Sequence, residues 1–402
     1  MLIMRTSILL LLTAVILGLA IAPVPAHAEA PVQTETPIQT ESPSATPSPG
    51  ASATLETAPT GLAAGGPARF TLYIPAASSL VIPPAPPAST TYYVLNTDPA
   101  ALYQLGCQQA QADAARPEAD DMLVILDFGQ GYSEKEEGKE RVWGTWLFSP
   151  AWRFISMDTI AAAARGYIQG YWACAKGGDR LTLGIGTNNY GGYGSDSKDP
   201  EVREAFASEH GRRWAQMVAS VASWSASSGY ATRVTVVGAN DIELSWNPPN
   251  VTRAWVASYT AVNGSRIPYY NFGACEGCPT VPYPTWKGVN GWTQEDVWYA
   301  AWGAAAAWPL PEIYLNTGIH ARQWQQMSWY SATRHGLRMD FVGAMTQQVA
   351  CQQRGGCTFS NGQRMDNPPD VGWRQLYEAL FKDPLTRQTK LRWSTDIRWM
   401  NR

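Results

Sequence analysis

The chain has 402 residues, with 30 Lys and Arg against 33 Asp and Glu, a net charge of −3 and only 16% charged side chains. That balance carries no basic footprint, so nucleic acid is not an expected partner. The 18 Trp and 18 Tyr exceed the usual need of a core this size, and flat rings with polar edges suit stacking on sugars as well as core filling.

Residues 1–28 read as a secretory signal peptide: Arg5 is the positive start, 8–21 the apolar stretch, and Ala26-His27-Ala28 the small-residue cleavage site. Residues 29–66 are Pro, Thr, Ser, Ala and Glu with few large apolar side chains, the composition of a disordered spacer. A domain is expected over 67–402, opening with a short apolar run at 70–74 and a Pro-rich patch at 83–87. No later segment is apolar enough to span a bilayer, so the mature chain is expected to be extracellular or associated with a cell wall.

Strands then alternate with helices. The first clear strand covers 123–128, followed by a helix at 157–175, a strand at 181–187 and a long helix opened by Asp199-Pro200-Glu201. Next come a strand at 233–240, a helix at 250–262 and a strand at 267–272. A helix at 293–308 carries Thr293 and Asp296 in capping-box spacing. The last strands are expected at 312–317 and 341–345, with helices ending near His335 and covering 370–382. Continuously apolar strands separated by helices make this an α/β chain with a parallel sheet. Gly184, Gly186, Gly238 and Gly343 suit the tight interior of a TIM-type (β/α) barrel. Six strands are evident where such a barrel needs eight. The other two are irregular, missing, or lie within 66–100 and near the C-terminus, and an open doubly wound sheet is the alternative.

Six cysteines in an exported chain favour disulfides. The preferred pairs are Cys107–Cys174, Cys275–Cys278 and Cys351–Cys357, with a four-thiolate zinc site from the last four as the rival. Only His210, His320 and His335 lie beyond the signal, which argues against a histidine-rich metal centre. No Gly-x-Gly-x-x-Gly fingerprint follows the first strand, and neither a P-loop nor a Gly-x-Ser-x-Gly elbow is present, so no cofactor is expected.

Polar residues gather at the C-terminal ends of the expected strands, where a (β/α) barrel carries its active site. Asp127 ends the first strand abruptly. Asp241 and Glu243 follow the third and point to one face, where each charge disfavours ionisation of the other and keeps a proton available. That pair suits acid-assisted cleavage of a glycosidic bond. Asn188, Asn189, Tyr190, Trp246, Asn271, Asn316, His320 and Gln347 are candidate substrate contacts, and Trp143 a further rim aromatic.

With Asp127 at a strand end and the Asp241-x-Glu243 pair, residues 120–350 resemble the lysozyme-type barrels of glycoside hydrolase family 25. They look equally close to secreted glycoside-hydrolase-like domains of unassigned activity on the same barrel. The resemblance implies action on the N-acetyl-hexosamine strands of peptidoglycan. Glu243 would protonate the leaving oxygen, and Asp241 or Asp127 would stabilise the cation-like centre. The alternative is a barrel that binds polysaccharide without cutting it, or one displayed at the surface as a structural element.

Overall fold

The computed structural model describes residues 82–116, 121–195, 197–359 and 362–400. The expected signal peptide, spacer and 70–74 strand lie outside these residues. In chain order the elements are β1 (Ala88–Tyr93), α1 (Pro99–Ala114), β2 (Asp121–Glu134), β3 (Val142–Trp146), β4 (Phe154–Ser156) and α2 (Met157–Cys174). Then come β5 (Arg180–Asn188), α3 (Pro200–Ser227), β6 (Val234–Asp241), α4 (Pro249–Asn263), β7 (Tyr269–Asn271) and α5 (Gln294–Trp298). The chain ends with β8 (Ala307–Pro309), α6 (Ile319–His335), β9 (Gly343–Thr346), α7 (Gln348–Gln353), α8 (Pro369–Lys382) and β10 (Trp393–Trp399).

Eight parallel strands follow one another around a nearly closed TIM-type barrel, in the order β8-β7-β6-β5-β2-β1-β10-β9. The two strands without a clear sequence signal are β1 and β10, which pair in register from Ala88–Ser394 to Tyr93–Trp399. Their pairing rules out the open doubly wound sheet. β2 outruns the barrel, and its last residues pair antiparallel with β3, which pairs with β4.

The fifth expected strand is displaced. β8 begins at Ala307, inside the stretch expected to be helical, and the helix there is only α5 plus a π turn at Tyr299–Gly303. The alanines at 304–307 favour a helix locally, and the sheet's demand for a sixth strand overrides that weak preference.

One seam, between β8 and β9, lacks a continuous ladder. Pro309 and Pro311 turn their carbonyls to β9 and accept from the amides of Val342 and Met345 at 3.0 Å each. Proline has no N–H to return, so the reciprocal bonds are missing. Ile313 N–H donates to Met345 O at 2.8 Å and completes a sparse closure.

Side chains alternate between two cores, as barrel geometry requires. Leu123, Ile125, Val237, Ala239, Tyr270, Phe272, Leu310, Met345, Trp393 and Ile397 fill the interior. Val124, Leu126, Leu183, Ile185 and Val236 face the helices. Gly184 and Gly186 face inward, and a Cβ at either would stand 2.9 Å from the Ile125 side chain, so glycine makes room for that isoleucine.

All three expected disulfides form. Cys107–Cys174 joins α1 to α2, which approach until a Cβ at Gly170 would lie 1.9 Å from Tyr103 O. Every sulfur of the rival zinc set is oxidised into a disulfide, so that site does not form. Among the described residues no helix is long and apolar enough to cross a membrane.

His210 of α3 ties the β3 hairpin to the barrel. Trp255 Nε1–H donates to its Nδ1 at 3.0 Å, which leaves Nε2–H to donate to Gly144 O at 3.0 Å. Burial among Trp214, Tyr193 and Trp255 lowers its pKa to about 4. The unfolded chain takes up this proton near 6.5, so stability falls as pH drops from 6.5 towards 4, by roughly 3 kcal/mol at most. Imidazole NMR should show His210 neutral with the proton on Nε2 at pH 5.5; titration near 6.5 would contradict this network.

Candidate active site

The alternation that fills the barrel also decides which side chains reach its C-terminal mouth. Tyr93 pairs in register with Asp127 and Trp399, Asp127 with Gly186, and Asn188, two residues further along β5, with Asp241. Positions 123, 125 and 127 of β2 and 237, 239 and 241 of β6 all point inward, placing both aspartates at the top of the interior core.

Asp127 is wholly buried. Its Oδ1 accepts from Gly129 N–H at 2.9 Å, where Gly129 adopts a φ of 86°, while Oδ2 has no hydrogen-bond partner. Burial raises its pKa to about 7 against the pull of the Gly129 amide. Asp241 Oδ1 is likewise buried without a partner. Burial first, then the charges of Glu243 and Asp127, push this carboxyl well above the usual range.

Glu243 stands beyond the strand end and is held through its backbone. Its N–H donates to Asn189 Oδ1 at 3.0 Å, and Asn189 Nδ2 donates to Glu243 O at 3.0 Å and to Thr252 Oγ1 at 3.2 Å. The Glu243 Oε1 accepts from Ala274 N–H at 3.0 Å. Asn189 is therefore a positioning residue.

A fourth acid completes the group. Glu312 follows β8, and its Oε1 accepts from the Tyr314 hydroxyl at 2.6 Å. One carboxylate oxygen each from Asp241, Glu243 and Glu312 lies within 4.8 Å of the other two. The Tyr93 phenol is pushed well above its usual range by burial and by the charges of Glu312, Asp241 and Asp127. Tyr93, Phe148 and Trp399 form an aromatic triplet at this mouth, with Tyr93 and Trp399 stacked at 4.4 Å. Gln353 of α7 fixes Trp399 by donating to its carbonyl and accepting from its amide.

Asp127, Asp241 and Glu243 gather at one end of the barrel, but inside it and not around the open cleft that the acid–base reading calls for. Asp127, Asp241, Glu243 and Glu312 are 0, 4, 1 and 1% exposed. None of them lines the cavity of about 700 Å³ between α6 and α8, which is bounded by Thr317, Arg322, Gln375 and Lys382. Buried like charges at this spacing require protons or a cation to coexist.

The other expected contacts divide. Tyr190 and Trp246 form a partly exposed edge-to-face pair, 5.6 Å between centroids, on loops that leave the same end of the barrel. Asn188 accepts from Tyr190 N–H at 3.2 Å. Gln347 precedes α7 and donates to Met365 Sδ. Asn271 points away from the interior, donating to Ala300 O and accepting from Gly273 N–H. Asn316 is bound to Asp366 near the surface, and His320 Nδ1 accepts from Tyr314 N–H at the start of α6. Trp143 packs on Phe206 and His210, away from the acids. Those four belong to the scaffold.

Asp127→Asn should isolate the cost of the buried charge. The folded carboxyl protonates near pH 7 and the unfolded one near 3.8, so folding takes up a proton in that window and stability falls as pH rises through it. The amide should keep the Gly129 bond and remove the penalty, stabilising the protein by roughly 2–4 kcal/mol above pH 7 and hardly at all near pH 4. Urea unfolding of both proteins at each end of the window checks this: a destabilised variant, or a difference from wild type that does not change with pH, would contradict it.

No family model, curated protein or solved structure matches the chain, so its function is argued from the barrel and its four acids.

Proposed function

We propose that this chain is an exported glycoside-hydrolase-like protein that cleaves N-acetyl-hexosamine cell-wall glycan by carboxylate acid–base catalysis. The observation that carries the reading is the meeting of Asp241, Glu243 and Glu312 oxygens within 4.8 Å at the C-terminal end of the barrel. Glu243 delivers a proton to the bridging oxygen. Asp241 or Asp127, once deprotonated, offsets the positive charge that develops at the sugar carbon as the glycosidic bond breaks, and water adds to that carbon to complete hydrolysis. The short separation is nearer the roughly 5 Å of a retaining pair than the 6.5–9.5 Å that admits a water between two carboxyls. The resemblance to family 25 barrels supplies the substrate class, and three disulfides agree with an oxidising, extracellular compartment. Entry of a sugar requires part of the mouth to move, because the acids are at most 4% exposed.

That same burial favours a second reading, a barrel that binds glycan without cutting it. Its contact surface would be the Tyr190–Trp246 pair, whose rings are partly open to solvent.

Glu243→Gln removes the donated proton while preserving shape, so release of reducing ends from peptidoglycan should fall at least about 100-fold. An unchanged rate would remove Glu243 from the chemistry. If the wild-type chain retains glycan in a pull-down without producing reducing ends, and Trp246→Ala abolishes retention, the binding reading replaces the hydrolase.

A further inference from the structure

We infer that Asp241, Glu243 and Glu312 form a binding site for one hard divalent cation of the calcium or manganese class. The inference rests on the donor set and its spacing and is independent of hydrolysis. Three carboxylate oxygens within 4.8 Å of one another can all lie within roughly 2.8 Å of a common centre, close to calcium–oxygen distances of about 2.3–2.6 Å. The smaller magnesium ion, at about 2.0–2.1 Å, would need a larger contraction. No His or Cys belongs to the group, which disfavours softer metals.

Two further features point to an occupant. Asp241 Oδ1 is buried with no hydrogen-bond partner, although Asp241 is only 4% exposed. Asp127, wholly buried next to it, has an Oδ2 in the same condition. Both glutamates are also oriented from outside the group, Glu243 by Ala274 N–H and Glu312 by the Tyr314 hydroxyl. Donors of this kind hold carboxylate ligands in place.

The test uses the full chain, stripped with EDTA and titrated with calcium by calorimetry and with manganese by electron paramagnetic resonance. One ion per chain is expected, together with a rise in the thermal midpoint on adding calcium. Asp241→Asn and Glu312→Gln should each weaken affinity at least about tenfold. Glu134→Gln/Glu136→Gln, on exposed acids, should not change it. Circular dichroism checks folding, and Glu312→Gln decides the matter if Asp241→Asn does not fold. Absence of binding at millimolar calcium and manganese would overturn the site, as would undiminished affinity in Glu312→Gln. Glycan cleavage measured in EDTA, and ion binding measured without glycan, keep failure of the hydrolase reading distinct from failure of this one.

Discussion

Everything at the barrel mouth depends on a pairing between the two ends of the domain. β1 and β10 lie about 300 residues apart and meet over six registered positions, from Ala88–Ser394 to Tyr93–Trp399. Inside that contact the Thr91 and Thr395 hydroxyls share a 2.8 Å hydrogen bond, and the Ile125 amide donates to Thr91, which ties β2 into the same junction. The pairing curls the sheet until inward positions on β2, β6 and β8 face one another. Without it, Asp127 and Glu312 would sit on opposite wings of an open sheet. Such long-range pairing carries a loop-closure cost that local helices do not.

The electrostatic consequence is a group of acids that the fold concentrates and then shields from water. Asp127 receives one donor, from Gly129 N–H, and Glu243 and Glu312 receive one each, from Ala274 N–H and the Tyr314 hydroxyl. Burial disfavours the charged form of both aspartates, so they hold their protons at pH values where an exposed carboxyl has lost its own.

Most of the fold is legible in the sequence because continuous apolar strands alternate with well-capped helices. Asp199-Pro200-Glu201 and the Thr293–Asp296 box mark real helix starts. β1 and β10 escape notice because threonine, serine and charged residues break their apolar runs, and those hydroxyls serve closure instead. Asp127, Asp241 and Glu243 are visible as acids ending apolar strands. Glu312 is not, since placing the strand at 312–317 puts this acid at its beginning, the wrong end for a barrel mouth. Once β8 begins at Ala307, the same residue lies at the rim. Asn271, Asn316 and His320 hydrogen-bond within the fold, and amides and imidazoles next to strands serve loops and helix starts as readily as ligands.

The sparse, proline-interrupted hydrogen bonding between β8 and β9 bears on how the acids are held. Asp127 and Asp241 stand on strands joined through β5 by ladders that are continuous up to Asp127, beyond which β2 shifts register. Glu312 stands at the bridge across that seam, opposite Met345, just beyond Pro309 and Pro311, which donate nothing across the joint. Its place is set by the Met345 bonds to Pro311 and Ile313 on one side and by its own amide's bond to Gly273 O on the other. The sparsest seam of the barrel is thus stitched at the residue that completes its group of acids.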